Sequence, residues 1–472
     1  MHVREYEICD RQNSTIMKSF LLKYNQQTPR YTSYPPANYF TVDVGNTQYI
    51  ECIEKSNSTG EKNISIYIHM PFCRQKCHFC GCNSLVWTND SAIDEYFDAV
   101  LMEIVTVFGH LDTKNRRVTQ IHWGGGTPNN LSISQIERVM KKIRSIVQFS
   151  FNPEIAIECN PAYLDEAYID GLASLGFNRI SLGIQDFDTT VLDAINRKPS
   201  LLPVDSLLAF LRDKNFQGVN FDLVYGLPRQ TVESFISTTS RAIELRPARI
   251  VTFSYAHLPS AIPGQKMIDE YTLPTDDQKL EMFLAARQLL IDSGYIAIGF
   301  DHFALPDDEL AVASREKMLK RNFQGYCTSQ TTGQVYAFGA SGISQLHGAY
   351  FQNEKSVDEY ISRIKQSSLA VSRGYVLSRN EMVCQHVIEE ILCNGLLDLE
   401  KISTSWKLPV HELFAICSFD PNELKPYIED KLIVYTGQRL EIKGAGMLLA
   451  RNVAQMFDPQ RVNSLRGHSR TI

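Results

Sequence analysis

Four cysteines in the first quarter of the chain have the residue type and the spacing that iron binding requires. Cys73, Cys77, Cys80 and Cys82 lie within ten residues, as C-x3-C-x2-C followed by one more cysteine. Iron–sulfur clusters are held by such closely spaced thiolates. Three ligands leave the fourth iron of a cubane cluster open, and an open position lets a metal site bind a small molecule. We therefore predict a [4Fe-4S] cluster with one iron free for a ligand.

Zinc and free thiols are the alternatives for the same four cysteines. A zinc site usually has four Cys or His ligands in two separated pairs. His78 or Cys82 could supply a fourth ligand, but the sequence has no second pair with zinc-finger spacing. Free thiols grouped at the end of a strand would be prone to oxidation. The spacing therefore favours the iron–sulfur cluster.

The composition of the chain indicates which partners and which cellular compartment suit a protein with this cysteine loop. The 472 residues carry 47 Lys and Arg against 53 Asp and Glu, a net charge of -6, so binding of nucleic acid or an anionic membrane would need a local basic patch. No apolar run reaches the roughly 18 residues of a membrane helix, and residues 1–28 have no signal-peptide pattern. The other cysteines are scattered, unlike a disulfide framework. We expect a cytoplasmic protein with reduced thiols.

Short apolar runs alternate with amphipathic segments over residues 64–303. This alternation predicts βαβ units and a parallel sheet, and near-continuous apolar runs are typical of strands covered on both faces. The predicted strands are 64–69, 118–123, 154–158, 179–184, 219–224, 250–255 and 295–300, and the predicted helices are 93–108, 132–147, 204–211, 232–245 and 278–291.

Polar or Gly/Pro-rich motifs follow these strands directly. The cysteine loop follows the first strand, and Gly124-Gly-Gly-Thr-Pro128 follows the second. Active sites of parallel barrels are built at the carboxyl ends of the strands. A single such motif is usually a plain turn, but the whole series predicts an active site at one rim of the barrel.

The cysteine spacing is the signature of the radical S-adenosylmethionine (SAM) family, and the glycine run resembles that family's glycine-rich segment, where a missing side chain lets SAM approach the backbone. Over nearly its whole length the chain more closely resembles the oxygen-independent coproporphyrinogen III oxidases of haem biosynthesis. Related haem chaperones lack the cysteine at position 82 and the arm around Arg30. The similar segments are 30–35, 73–83, 122–128, 185–187, 222–228, 255–259, 301–304, 306–311 and 321–326.

The resemblance implies an α/β fold, an incomplete parallel (β/α) TIM-type barrel of the radical SAM kind. We expect an N-terminal arm at residues 1–55, the barrel with a lid segment at 56–345, and a mostly helical C-terminal domain at 346–472. Within these regions we expect a polar stretch at 307–338, a helical region at 356–397, and a winged-helix-like outline formed by a helix at 422–431, a hairpin at 432–442 and a helix from 446.

The resemblance also implies residue roles. Cys73, Cys77 and Cys80 would ligate the cluster, and Cys82 would not. One SAM would chelate the open iron and a second SAM would bind near the first. Carboxylates and a guanidinium suit the polar groups of SAM, although structural ion pairs also gather at strand ends. The expected catalytic residues are Tyr67, Glu158 and Asp222, and the expected SAM contacts are Tyr67, Phe79, Gly125, Gly126, Thr127, Glu158, Gln185, Arg197, Asp222, Ala256 and Ile343.

The implied reaction converts two propionate side chains of coproporphyrinogen III to vinyl groups, giving protoporphyrinogen IX. A 5′-deoxyadenosyl radical made from SAM would abstract hydrogen from the β-carbon of each propionate, and loss of CO2 and an electron would follow. The implied partners are the porphyrinogen and an electron donor such as flavodoxin or ferredoxin, with no nucleic acid and no membrane, and the enzyme would be a monomer.

Four substrate carboxylates call for basic residues. Arg30, Arg229, Lys320 and Arg321 are the candidates, and solvated surface charge is the alternative for each of them. The arm around Arg30 and the segment 307–326 are expected to close over the barrel mouth, since loops of this length are usually lids or binding elements. Pro36 and Gly395 depart from the pattern common in the family, which affects substrate fit more than the chemistry.

Two other function classes compete with this interpretation. One is a haem chaperone with a radical SAM scaffold and no decarboxylase activity, against which Cys82 and the N-terminal arm argue. The other is a nucleic-acid-binding regulator, suggested by the winged-helix outline. The acidic balance and the lack of a basic recognition helix argue against a regulator.

Overall fold

The computed structural model describes residues 17–58, 62–86 and 89–461. Its centre is a twelve-stranded sheet. The strands are β1 Asn63–Met70, β2 Arg117–Gly125, β3 Gln148–Cys159, β4 Arg179–Gln185, β5 Gly218–Tyr225, β6 Arg249–Ser254, β7 Ile296–Ile298, β8 His302–Ala304, β9 Gln334–Phe338, β10 Ile343–Leu346, β11 Ala349–Asn353 and β12 Val371–Val376. Their spatial order is β12-β11-β10-β9-β1-β2-β3-β4-β5-β6-β8-β7.

Seven neighbouring strands of this sheet, β9 and β1 to β6, run parallel. Their apolar side chains, among them Ile66, Ile121 and Phe221, are fully buried. Burial of this kind is expected for a parallel sheet with covered faces. In the described part of the chain the outermost strands β12 and β7 do not pair with each other. The sheet therefore stays open, which confirms the predicted α/β fold with an incomplete barrel.

Helices alternate with the parallel strands, and each predicted helix is present. Their starts follow local capping chemistry: Ser132, Thr231 and Thr275 each accept a hydrogen bond from the backbone N–H three residues later. The helices up to β9 are α1 Asn46–Ser56, α2 Asp90–His110, α3 Ile133–Ile146, α4 Glu166–Ser174, α5 Thr189–Ala194, α6 Val204–Asp213, α7 Val232–Leu245, α8 Asp276–Asp292 and α9 Glu309–Glu316.

The segment 295–300 differs from its prediction as a parallel strand. It contributes only the three-residue strand β7, which pairs antiparallel with β8, and β8 pairs antiparallel with β6. The alternation of Tyr295-Ile-Ala-Ile-Gly-Phe300 is correct for a strand, but Gly299 has a positive φ of 61° and turns the chain back. The result is a hairpin at the edge of the sheet.

The segment 307–338 also differs from the expected polar stretch. It contains α9, an antiparallel hairpin of Leu319–Asn322 with Gly325–Thr328, and strand β9. All five residues of β9 are buried, and β9 supplies the seventh parallel strand beside β1. Five residues directly after a polar turn are too few to show the hydrophobic pattern by which a strand is recognised in a sequence.

The C-terminal region is mostly helical, as expected, although β11 and β12 join the main sheet and β12 interrupts the predicted helical region 356–397. The predicted hairpin is present, and Leu396–Asp398 adds a third strand to it. The helices and strands after β10 are α10 Val357–Ser367, α11 Arg379–Asn394, α12 Leu399–Trp406, α13 Val410–Ile416, α14 Lys425–Glu429, Ile433–Tyr435, Arg439–Ile442 and α15 Ala450–Gln455.

The N-terminal arm packs on this C-terminal region. Tyr31 and Tyr34 donate hydrogen bonds to the two carboxylate oxygens of buried Asp458, at 2.8 and 3.2 Å, and Tyr24 stacks on Tyr427. Residues 1–16 of the expected arm and 462–472 of the expected C-terminal domain lie outside the described residues. The domain boundaries stay predictions. No helix among the described residues is long and apolar enough to span a membrane.

Candidate active site

The three cysteines expected to bind iron lie on the loop between β1 and α2. The short strands Phe72–Cys73 and Leu85–Val86 pair in parallel and close this loop at its base. Each of the three sulfurs has a hydrogen-bond donor. The contacts are Thr127 Oγ1 to Cys73 Sγ at 3.3 Å, Arg197 Nη1 to Cys77 Sγ at 3.4 Å and the backbone N–H of Cys82 to Cys80 Sγ at 3.4 Å.

These donors favour thiolates, the form that binds iron. Hydrogen bonds from Cys82 lower the pKa of Cys80 to about 6, and the charges of Lys76 and Arg197 act in the same direction. Burial raises the pKa of Cys73, so this thiol would be deprotonated by the metal itself. In the described chain no three His, Cys, Asp or Glu side chains are grouped as single-ion ligands are. A cluster instead gives each thiolate its own iron.

A second loop holds the cysteine loop in place. The backbone N–H of His78 donates to the carbonyl of Ile195 at 2.9 Å, and Gln75 Nε2 donates to the carbonyl of Asn196 at 3.1 Å. Asn196 Nδ2 donates in return to the carbonyl of Lys76 at 3.0 Å. The cysteine loop is therefore fixed to the end of α5, which lies next to Arg197 in the sequence. These contacts between distant loops have no signature in the sequence.

The glycine run after β2 packs against the base of the cysteine loop. A Cβ atom at Gly126 would lie 2.9 Å from the Phe72 carbonyl and 3.0 Å from Cys73 Sγ, and one at Gly125 would lie 2.8 Å from the Met70 carbonyl. Gly125 also has a φ of +113°, which disfavours other residues. Glycine is thus required by the approach of the two loops, in addition to any room that a ligand needs.

Glu158 is held by two donors at the end of β3. His122 Nε2 lies 2.9 Å from Glu158 Oε1, and the backbone N–H of Gly125 donates to Oε2 at 3.2 Å. Tyr67 lies beside this carboxylate, stacks on His122, and hydrogen-bonds His69 Nδ1 at 3.1 Å. The Glu158 side chain remains 43% exposed. The carboxylate is therefore oriented by its neighbours and open to a further donor.

Asp222 on β5 is the second carboxylate of the expected catalytic set. Ser181 Oγ donates to its Oδ2 at 2.9 Å. Burial raises the pKa of Asp222 to about 6, although the hydrogen bond from Ser181 and the nearby charges of His302 and His122 oppose the rise. A carboxylate with this pKa gains or loses its proton close to neutral pH, and its protonation state will respond to a bound ligand.

Gln185 and Arg197 meet at Gly183 on β4. A Cβ atom at Gly183 would lie 2.7 Å from Gln185 Nε2 and 2.9 Å from Arg197 Nη2, and Arg197 Nη2 donates to the Gly183 carbonyl. Gln185 ends the strand with a φ of +67°. The adjacent Asp186 is buried and accepts hydrogen bonds from Gln230 Nε2 and Thr238 Oγ1. Gln185 therefore faces the cavity, whereas the neighbouring Asp186 points into the interior and stabilises the fold through its hydrogen bonds.

Gln265 is a site residue that the sequence analysis missed. This buried side chain donates from Nε2 to the carbonyls of Phe79 and Ala256, at 3.2 and 3.1 Å. It therefore joins the cysteine loop to the loop after β6. Its position after a Pro-Gly pair gives a turn signal and no chemical one, so no feature of the sequence could have identified it.

One cavity of about 1020 Å³ brings most of the expected site residues together. Tyr67 lies at its edge, next to Glu158 and Gly124. Ile343 begins β10, packs with the buried cluster of Phe40 and Tyr350, and does not line this cavity. The expected residues that line it are Cys73, Cys77, Cys80, Phe79, Gly125, Gly126, Thr127, Glu158, Gln185, Arg197, Asp222 and Ala256.

The four basic candidates for substrate binding do not lie together. Arg30 lines the cavity as part of the arm, and Arg321 lies near Asp301 and Arg451. Lys320 is paired with Glu389 at 3.0 Å. Arg229 is exposed and follows β5 in a loop whose backbone bonds Thr272. Arg451 on α15, which the sequence analysis missed, joins Arg30 and Arg321 in place of the other two.

Comparisons with known proteins identify a superfamily and relatives of this chain. The model of the radical SAM superfamily matches residues 67–242, which contain the cysteine loop, the glycine run, Glu158 and Asp222. The oxygen-independent coproporphyrinogen III oxidase of Escherichia coli strain K12 is 40% identical over 93% of this chain and 94% of its own length. The Synechocystis enzyme of the same name is 38% identical over 93% of this chain and 94% of its own length.

A solved structure extends the similarity to three dimensions. The coproporphyrinogen III oxidase from Escherichia coli, described as a radical SAM enzyme, superposes with a TM-score of 0.86 and 39% identity, over 92% of this chain and 100% of that one. The superfamily implies a [4Fe-4S] cluster and SAM as cofactors, and the cavity offers three thiols with donors and two oriented carboxylates for them. The chain belongs to the oxygen-independent coproporphyrinogen III oxidase family of the radical SAM superfamily.

Proposed function

We propose that this chain catalyses the oxygen-independent oxidative decarboxylation of two propionate side chains of coproporphyrinogen III to vinyl groups, giving protoporphyrinogen IX. One observation carries the proposal. The thiols of the C-x3-C-x2-C motif and the polar residues from the ends of β2 to β6 line a single cavity, in a chain that matches oxidases of this name over 93% of its length.

In this proposal Cys73, Cys77 and Cys80 ligate the [4Fe-4S] cluster, and Cys82 supports Cys80 through its backbone N–H. The cluster and SAM, when bound, supply a one-electron reduction and the hydrogen-abstracting radical. Arg197 is the guanidinium in this cavity that neighbours a ligand sulfur, at 3.4 Å, and its fork suits the carboxylate of SAM.

Tyr67, Glu158 and Asp222 are the proposed catalytic residues. Glu158 is oriented by His122 and Gly125, and Asp222 by Ser181. Both are acceptors suited to the amino group or the ribose hydroxyls of SAM. Tyr67 is fixed by His69 and narrows the space beside Glu158. Their joint effect is to hold the reacting groups in one geometry and exclude water.

The remaining SAM contacts surround these carboxylates. Gly125 and Gly126 allow a close approach to the backbone, and Gln185 presents its amide to the cavity. A second SAM near the first is part of the proposal, and the cavity of about 1020 Å³ leaves room for more than one small ligand. We assign the other contacts in the cavity to Phe79, Thr127 and Ala256, whereas the expected contact Ile343 lies outside it.

The proposal also covers the electron donor, the cellular compartment, the oligomeric state and the domain roles of the enzyme. Its electron donor is a low-potential carrier such as flavodoxin or ferredoxin, and the enzyme acts in the cytoplasm as a monomer, without nucleic acid or membrane. Residues 1–55 serve as an arm, 56–345 as the barrel with its lid, and 346–472 as the C-terminal domain. The arm residues Arg30 to Thr32 line the cavity, which supports their role in closing its mouth.

Anaerobic reconstitution tests the proposal. The reconstituted protein, with SAM and a reductant, should convert coproporphyrinogen III to protoporphyrinogen IX and release 5′-deoxyadenosine. Cys80→Ser should abolish both products, and Cys82→Ser should retain the cluster. A Cys80→Ser variant with full activity would refute the cluster assignment. Tight stoichiometric haem binding without turnover would instead support the chaperone alternative.

A further inference from the structure

Two guanidinium groups, those of Arg321 and Arg451, lie half-buried beside the active-site cavity. Arg321 lies over the ring of Tyr326, at 5.2 Å from its centroid, and Arg451 lies over the ring of Phe300 at 5.3 Å. Arg321 Nε is buried and has no hydrogen-bond partner. Among the described residues neither guanidinium forms an ion pair. A partly desolvated cation without an ion-pair partner is unfavourable, which suggests that an anion binds here.

The surrounding charges strengthen this conclusion. Burial lowers the pKa of Arg451, and the positive charges of Arg321 and Arg30 lower it further. Asp301 attracts Arg321 and Arg451, but its carboxylate is already engaged by His302 Nδ1 at 2.7 Å. Arg321 and Arg451 thus share the attraction of one carboxylate that has another partner.

The position of this arginine cluster, Arg30, Arg321 and Arg451, connects it to the active site. Arg30 lines the main cavity, whereas Arg321 lines a neighbouring cavity of about 310 Å³. Tyr31 and Thr32 line both cavities and so form a shared wall. His302, which hydrogen-bonds Asp301, is also near enough to Asp222 for its charge to lower the pKa of that carboxylate. The cluster therefore adjoins the Asp222 side of the cavity.

We propose that the arginine cluster binds a propionate carboxylate of the porphyrinogen that is not undergoing decarboxylation, and so positions the reacting propionate. The inference rests on the proposed function for the identity of the ligand. Arginine presents a planar fork of donors that matches a carboxylate, and the anion would neutralise the charges of Arg321 and Arg451, which form no ion pair among the described residues. Lys320 does not share this role, because Glu389 already neutralises it.

Equilibrium binding of coproporphyrin III tests the cluster without turnover. This stable tetracarboxylate and its uncharged tetramethyl ester are titrated into the reconstituted protein and followed by porphyrin fluorescence. Arg321→Gln and Arg451→Gln should each weaken coproporphyrin binding by about tenfold or more, the usual effect of losing a charged hydrogen bond, and should leave ester binding unchanged. Arg451→Lys should fall between these variants and the wild type. Arg229→Gln removes an exposed arginine and is the matched control.

The thermal midpoint separates this role from a structural one. Removing an uncompensated charge from a half-buried position should leave the thermal midpoint of Arg451→Gln unchanged or raised. The inference is wrong if coproporphyrin affinity is unchanged in both Gln variants, or if affinity for the ester falls as much as affinity for the acid. Carboxylate-dependent binding in a wild-type protein that forms no vinyl product would contradict the proposed function and leave the arginine cluster intact.

Discussion

At the residue scale, the site depends on close packing between loops as well as on its polar groups. Gly126 lies where the backbone of the cysteine loop passes, within 3.0 Å of any Cβ placed there. The same position lies beside Cys73, one of the three expected iron ligands. A change of one methyl group at Gly126 should therefore affect both folding and cluster binding.

We predict that Gly126→Ala lowers the free energy of unfolding by about 1–3 kcal/mol, the usual cost of overpacking, and reduces the iron bound per chain. Anaerobic denaturation and iron analysis measure the two effects. Gly109→Ala is the control, because nothing lies within 4 Å of its added Cβ in helix α2. The Gly109→Ala variant should have a free energy of unfolding about 1 kcal/mol higher than the wild type. Full iron content and unchanged stability in Gly126→Ala would contradict the packing argument.

Asp222 gives a prediction about pH. Because burial raises its pKa to about 6, the ionised fraction rises from about 10% at pH 5 to about 90% at pH 7. If the carboxylate accepts hydrogen bonds from SAM, the affinity for SAM should rise about tenfold over this range. Equilibrium dialysis of the reconstituted protein measures the affinity. Asp222→Asn should bind SAM more weakly and with no such rise, and a flat wild-type profile would remove Asp222 from the SAM site.

At the scale of elements, a buried carboxylate links helix α2 to strand β9. Glu103 accepts hydrogen bonds from Asn353 Nδ2 at 2.6 Å, from Tyr360 OH at 2.6 Å and from the backbone N–H of Gly339 at 3.0 Å. Gly339 directly follows β9. The strand that completes the parallel part of the sheet is therefore attached to the helix after the cysteine loop by one titratable group.

The stability of this link should depend on pH. Burial raises the pKa of Glu103 from 4.5 to about 7, so the folded state favours the protonated form. Its contribution to stability is complete below about pH 4.5 and is lost as pH rises to 7, a change of about 3 kcal/mol. The difference in unfolding free energy between the wild type and Glu103→Gln should fall by this amount between pH 4.5 and 8. A constant difference would show that Glu103 is ionised throughout in the folded protein.

Elements with a long apolar pattern were predictable from the sequence, and short or tertiary ones were not. Strands β1, β2 and β4 to β6 and helices α2, α3 and α6 to α8 follow their predicted ranges closely, because their buried faces leave a strong local pattern. Strand β3 contains its predicted range but begins six residues earlier. Strand β9 has only five residues, and its burial depends on β1. The same limit applies to the site: the cysteine spacing identifies three thiols, whereas Gln265 and Arg451 reach the site only through folding.

At the scale of the whole molecule, the cavity is formed by an open sheet together with contacts between the N-terminal and C-terminal parts of the chain. Tyr31 and Tyr34 are held by Asp458, more than 400 residues later in the sequence, and Arg30, Tyr31 and Thr32 line the cavity. The chain is acidic overall, with a net charge of -6. The arginine cluster beside the cavity supplies the local positive charge that an anionic substrate requires.

The central proposal is that a radical made from SAM in this cavity abstracts hydrogen from the β-carbon of a propionate. Coproporphyrinogen III carrying deuterium at the propionate β-carbons tests it directly, with anaerobic turnover and mass analysis of the 5′-deoxyadenosine released. We predict deuterium in 5′-deoxyadenosine and the formation of vinyl product from the same incubation. Vinyl product accompanied by deuterium-free 5′-deoxyadenosine, or deuterium-free 5′-deoxyadenosine without any vinyl product, would contradict it.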